Sequence, residues 1–204
     1  MQYGFHILYR SVTICMLLLS LAACSRKDAA VADGYGTPLT DTAKLLSITD
    51  NGGYYLVRIT DPWDTTRILH SYQLVPRGEE VPRIAGTTKV EIPLAKSLVY
   101  SAVYAGIIDE IGAAKAITAV ADAEYINNLY VRNGVAEGRI TDVGSTMAPV
   151  VEKVVAASPD AILASPFQNA GYGAVGQLNI PIIEMADYME TTPLGRAEWI
   201  KLIG

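Results

Sequence analysis

Apolar and polar positions change rhythm along this chain. Residues 45–49 and 54–60 are β-rich and flank Asp50-Asn51-Gly52-Gly53, a strong turn signal, so the pattern predicts a hairpin. Residues 68–75 predict a third strand, with His70 as a structural histidine within it. From residue 88 short apolar runs alternate with helical spacing. Strands are expected at 89–92, 116–120, 161–164 and 180–184. A helix over 101–111 should bury Val103, Ile107, Ile108 and Ile111 and stop at Gly112. Residues 125–136 are weakly helical. Pro149 should start a helix with Val150, Val151, Val154 and Val155 inward, and a short helix is expected near 173–178. Thr192-Pro193 reads as a cap followed by a first-turn proline. Alternating βα units predict an α/β fold: a mainly parallel sheet flanked by helices, preceded by a β-hairpin region.

The N-terminus has a different texture. Residues 12–21 are an apolar run, shorter than the roughly 20 residues of a membrane-spanning helix and within the ~7–15 of a signal-peptide core. Arg10 is the one charged residue before it. Leu21-Ala22-Ala23-Cys24 looks like a bacterial lipobox, with cleavage before Cys24 and lipid on its thiol. Each buried acyl CH₂ contributes about 0.8 kcal/mol, so several chains anchor stably. The expected organisation is a signal peptide at 1–23, a flexible tether at 24–42, a β-rich extension at 43–87, an α/β lobe at 88–191 and the start of a further helix at 192–204. That helix runs only about one and a half turns before Gly204 at the ~3.6-residue period, which leads us to expect an N-terminal piece of a longer protein.

Composition narrows the chemistry. Of the two cysteines, Cys15 leaves with the signal peptide, so no disulfide framework is expected. His70 is then the remaining histidine, which disfavours Cys/His zinc sites and Ser-His-Asp hydrolysis within this chain. The full sequence has net charge −5, and loss of Arg10 makes the mature chain more acidic. With no basic run, nucleic acid is not an expected partner.

Several stretches carry a family resemblance. They are Leu98-Val99-Tyr100-Ser101 entering Ile107-Ile108-Asp109-Glu110-Ile111-Gly112, then Val120-Ala121-Asp122-Ala123-Glu124-Tyr125, and Val143-Gly144-Ser145-Thr146-Met147. Further on, Ser158-Pro159-Asp160-Ala161-Ile162-Leu163, Leu178-Asn179-Ile180-Pro181-Ile182-Ile183 and Thr192-Pro193-Leu194-Gly195-Arg196 continue it. Across roughly half the chain, residues 97–199, the sequence resembles the periplasmic solute-binding proteins of ABC importers for iron–siderophores, haem and cobalamin. The resemblance implies two α/β lobes bridged by a helix. It also implies a metal chelate captured between them as cargo rather than cofactor, and delivery to a membrane permease with its ATPase. It implies a monomer on the periplasmic side, held by its lipid anchor, that is not an enzyme. Residues 45–75 would be extra N-terminal strands.

In such sheets ligands meet the loops at the carboxyl ends of strands. Those loops hold Tyr100, Ser101 and Tyr104; Asp122 and Tyr125; Ser145, Thr146 and Met147; Phe167 and Gln168; and Tyr188 and Met189. Aromatic and thioether groups suit the greasy parts of a chelate, and hydroxyls and amides its polar rim. Any one of them also reads simply as loop packing. No protein-bound metal is expected. Glu152 reads as a solvated glutamate, and the resemblance implies that it pairs with a permease arginine. Gly171-Tyr172-Gly173-Ala174-Val175-Gly176 fits the spacing of a dinucleotide loop, but it stands apart from the preceding strand and late in the domain. A surface-anchored enzyme and a structural or adhesion lipoprotein are the competing function classes.

Overall fold

The computed structural model describes residues 36–168 and 171–204. The signal-peptide reading for 1–23 and lipidation at Cys24 lie outside the described residues. Five strands form the first sheet: β1 (Thr37–Pro38), β2 (Leu46–Asp50), β3 (Tyr55–Thr60), β4 (Ile68–Pro76) and β5 (Thr88–Ile92), in that spatial order. Pairing is antiparallel as far as β4, and β5 then runs parallel to β4. The expected hairpin is β2–β3. Its turn places Gly52 at φ 68° and Gly53 at φ 140°, which side chains disfavour, and the Gly52 N–H donates to Asp50 Oδ1 at 2.8 Å.

Two boundaries differ from expectation. Residues 36–42 were expected in the tether, yet Thr37–Pro38 extends the sheet along β2. The backbone N–H groups of Thr42 and Ala43 donate to the Glu198 carboxylate at 2.8 and 2.6 Å. Those of Lys44 and Leu45 donate to Glu190. Short polar sequence thus gains order from two distant carboxylates. Strand β5 was expected in the α/β lobe but completes the first sheet. The crossover from β4 is fixed by the fully buried Gln73, which donates to the Pro82 carbonyl at 2.9 Å and accepts from the Ile84 N–H at 3.2 Å.

The second sheet is wholly parallel. It contains β6 (Ser97–Val99), β7 (Ile117–Val120), β8 (Thr141–Asp142), β11 (Ala161–Ala164) and β12 (Ile182–Glu184), in spatial order β12-β11-β6-β7-β8. A small hairpin, β9 (Gly144–Ser145) with β10 (Ala148–Pro149), follows β8. The helices are α1 (Ala102–Glu110), α2 (Leu129–Ala136), α3 (Val151–Ala157), α4 (Pro193–Glu198) and α5 (Ile200–Ile203). The molecule is therefore mixed α/β: a parallel sheet flanked by helices beside an antiparallel one.

Strand periodicity sorts the cores. Val99, Ile117, Val120, Ala161 and Leu163 face the larger core, shared with Leu46, Ile48, Val57, Ile59 and Tyr72 of the first sheet and with α1. Leu98, Ala119, Ile162 and Val154 of α3 form a smaller core on the other face. Both faces are covered, which is why β6 and β11 are buried along their whole length. Tyr72 also joins the sheets: its hydroxyl donates to the Ile182 carbonyl at 2.8 Å and accepts from the Glu184 N–H at 3.2 Å. It thus satisfies backbone groups of edge strand β12.

Both expected helix faces are corrected. In α1 the buried residues are Tyr104, Ala105 and Ile108, while Val103 is 59% exposed and Ile111 lies at the surface. The face rotates because the Tyr104 hydroxyl has polar partners inside. In α3 only Val154 is fully buried, with Val151 and Ala157 beside it, and Val150 and Val155 are exposed. So short a helix presents one narrow seam to the sheet. Thr192 does cap α4, accepting the Gly195 N–H at 3.0 Å. The helix is then interrupted at Trp199, where α5 begins. Among the described residues no helix is long and apolar enough to cross a membrane.

Candidate functional site

The chain leaves β6 for β7 on one side of the parallel sheet, then returns from β8 to β11 on the other side of β6. The loops after β6 and β11 therefore diverge. Such a reversal opens a crevice at the carboxyl ends of the strands, where open α/β sheets bind ligands. A cavity of about 530 Å³ lies at that place, within the ~300–1,000 Å³ of small-molecule sites.

Each wall comes from a different loop. After β6, Tyr100 enters from the strand and Ser101 caps α1, its Oγ accepting the Val103 N–H at 3.2 Å. After β7, Asp122 adopts a left-handed backbone (φ 48°, ψ 45°), unusual for a side-chain-bearing residue. Its carboxylate accepts from Thr146 Oγ1 at 2.7 Å and the Thr146 N–H at 3.2 Å, clamping the β9–β10 hairpin to this loop. Tyr125 and Met147 lie at the rim, 70% and 86% exposed, with Phe167 at 63%. Three large apolar side chains around one opening are the kind of surface that a ligand or partner covers.

Tyr100, Ser101, Asp122, Tyr125, Thr146, Met147 and Phe167 are thus brought together, as their positions in the sequence led us to expect. The other expected residues stand outside the cavity lining. Tyr104 is buried: its hydroxyl lies 2.8 Å from both the Met185 carbonyl and Asp187 Oδ1, and 2.9 Å from Ser165 Oγ. Burial above all raises its pKa, so it is a neutral structural anchor. Ser145 accepts the Met147 N–H at 3.2 Å and shapes the hairpin. Gln168 is exposed. Tyr188 donates to the Pro166 carbonyl at 2.8 Å, and Met189 packs against the larger core. The reason is positional. The loop of Tyr188 and Met189 follows the edge strand β12, whereas the cavity lies over β6, β7 and β11.

In its place stands the glycine-rich segment that the sequence offered as a dinucleotide decoy. Gly171, Tyr172, Gly173, Ala174 and Val175 line the cavity. The motif opens only a single 3₁₀ turn, Val175–Gln177, not the α-helix whose N-terminus a pyrophosphate needs. Tyr172 is a lining residue that the candidate set lacked, and Ser165, on the expected loop after β11, lines the cavity beside Phe167. The Tyr172 ring lies 6.4 Å from that of Tyr100, and its hydroxyl donates to Glu184 Oε1 at 2.5 Å. Glu184 Oε2 bonds His70 Nε2 of the first sheet. Burial pushes the Glu184 carboxyl up, but the bonds from His70 and Tyr172 hold it below its ordinary value.

The Tyr100 hydroxyl is buried and has no hydrogen-bond partner among the described residues. Burial first, and then the Asp122 charge, push its phenol up to about 12. It is a neutral group at physiological pH. Among the described residues no three His, Cys, Asp or Glu side chains gather where they could hold a metal ion. Glu152 is exposed in the first turn of α3.

No family model matches the chain. Over 74 residues it is 34% identical to an uncharacterized lipoprotein of Methanocaldococcus jannaschii, a match covering 35% of this chain and 18% of that protein. The chain therefore aligns with less than a fifth of the relative's length.

Proposed function

We propose that this chain is the ligand-capturing lobe of a lipid-anchored substrate-binding protein of an ABC importer, with a metal chelate as cargo. The observation that carries the reading is the cavity at the reversal point of the parallel sheet, rimmed by Tyr125, Met147 and Phe167 and holding a buried, unpartnered Tyr100 hydroxyl. Aromatic walls take the flat or apolar parts of a chelate, and Ser101, Thr146 and Tyr100 meet its polar edge. A second α/β lobe, joined through the helix that starts at Pro193, closes over this face. The protein performs no covalent chemistry. The anchor is Cys24, in keeping with the lipobox and with the lipoprotein name of the archaeal relative. It holds the domain on the periplasmic side, beside the permease.

Calorimetric titration of the full-length mature protein, both lobes included, against haem, cobalamin and several ferric siderophores tests the reading. Binding of one class at roughly micromolar affinity or tighter is expected, and heat from none of them overturns it. Exposed Glu152 is the proposed contact to a permease arginine, since exposed charge steers docking. Glu152→Ala should leave chelate affinity unchanged and lower transport in cells; a loss of affinity would refute that role.

A further inference from the structure

Among the described residues the cavity wall carries one formal charge, and it is negative. Asp122 lines the cavity, and among the described residues no lysine, arginine or histidine does. Behind the wall the balance has the same sign. Glu184 lies beyond the Tyr172 hydroxyl, Asp187 lies against Tyr104, and Glu124 neighbours Tyr125. The nearby basic side chains are engaged elsewhere: His70 bonds the far side of Glu184, Arg196 the Asp187 and Tyr188 carbonyls, and Lys153 the Asp142 carbonyl.

Two helix N-termini oppose this field. Ser101 and Ala102 begin α1 at the cavity, and Val151 begins α3 there. A helix end is worth about half a positive charge and fades within its first turn. At α1 the Ser101 side chain already accepts a first-turn N–H, and α3 carries Glu152 in its first turn. A full carboxylate charge on the wall therefore outweighs them. The apolar side chains around it strengthen that charge's reach.

Resting on the chelate-binding reading, we infer that this site selects neutral or monocationic chelates and rejects polyanionic ones. Ferric trihydroxamates bearing an amine, and corrinoids, have the right charge. Ferric tris-catecholates, with three negative charges, and haem, with two propionates, do not. A polyanion would meet Asp122 with no wall cation to offset it, whereas an amine or amide N–H on the ligand can donate to its free lone pairs. Tyr100 supplies the neutral hydrogen bond beside it.

The test is a charge series titrated into the mature chain and into Asp122→Asn. Asparagine tolerates the left-handed backbone at this position and keeps an acceptor for Thr146. Expected is binding of the monocationic trihydroxamate or the neutral corrinoid, with the tris-catecholate at least roughly tenfold weaker. Asp122→Asn should weaken the cationic chelate and tighten the trianionic one. A second reading needs no variant: raising salt from about 0.01 M to about 1 M shortens screening from about 30 Å to about 3 Å, and should weaken the monocation. Equal or tighter binding of the tris-catecholate or haem overturns the charge selection and leaves the chelate-binding function standing. No binding of any member overturns both.

Discussion

The two sheets of this protein solve different problems. In the first sheet, antiparallel from β1 to β4, consecutive hairpin connections alternate between opposite ends, and only the β4–β5 crossover returns along the sheet. The turn at Gly52–Gly53 and the crossover held by Gln73 lie at separate places, and each is consumed by its own hydrogen bonds. In the parallel sheet every carboxyl end lies on one side, so loops distant in sequence converge. Tyr100, Asp122, Thr146 and Phe167 meet there although they are spread along most of the domain. The first sheet is thus a buttress and the second a platform. They are coupled where Tyr72 and His70 of β4 grip strand β12.

The coupling is the place to break the comparison most strongly. Tyr72 is 1% exposed, and its ring lies in the shared core. Tyr72→Ala should cost about 3–5 kcal/mol, the usual loss for a large buried aromatic. Tyr72→Phe keeps the ring but leaves the Glu184 N–H and Ile182 carbonyl unpaired, and should cost about 1–3 kcal/mol. Urea unfolding of both variants checks the order. A Phe variant as stable as the parent would show that the sheets are held by packing alone.

The buttress is also tied to the C-terminal helices, through groups that titrate. Lys201, and then the N–H groups of Ala43, Thr42 and Asp41, hold the Glu198 carboxyl down to about 2. With the folded value below the unfolded one, the contribution is complete above about pH 4.3 and is lost as pH falls toward about 2. Acid titration followed by the emission of Trp199, which is 3% exposed, should show release of this end in that window. Glu198→Gln should remove the step. An unchanged acid profile would place the loss elsewhere.

On the platform side the expected effect on stability is smallest. Tyr100→Phe deletes a buried hydroxyl that has no partner among the described residues, so stability should stay level or rise by up to about 1 kcal/mol. Chelate affinity should fall in the same variant. A thermal melt and a titration on one preparation separate the two readings. Lost stability would mean that the hydroxyl is satisfied within the fold and is not reserved for a ligand.

Much of this was legible in the sequence. Turn glycines, strand runs and the Thr192-Pro193 cap each act over a few residues, and each appears where expected. The helix faces of α1 and α3 were less legible, because spacing counts apolar residues without knowing what lies opposite. Tyr104 turns inward since Ser165, Met185 and Asp187, from two later strands' loops, wait there. The glycine-rich segment at 171–176 looked like a misplaced nucleotide motif. Its role as a cavity wall depends on where the chain goes after β11.

The sequence by itself determined most of the elements, though not central strand β6, together with the two covered faces of the parallel strands and the set of loops from which a site could be built. These follow from local sterics and from side-chain periodicity of two along a strand. Tertiary structure alone decided that β5 belongs to the buttress, that residues 36–42 are pinned rather than free, and that the edge loop of Tyr188 gives way to Tyr172. It also decided that Asp122 is the one charge that the described residues place on the cavity wall. Those outcomes depend on strand order and on partners more than a hundred residues away, as with Ala43 and Glu198. No local pattern carries that information.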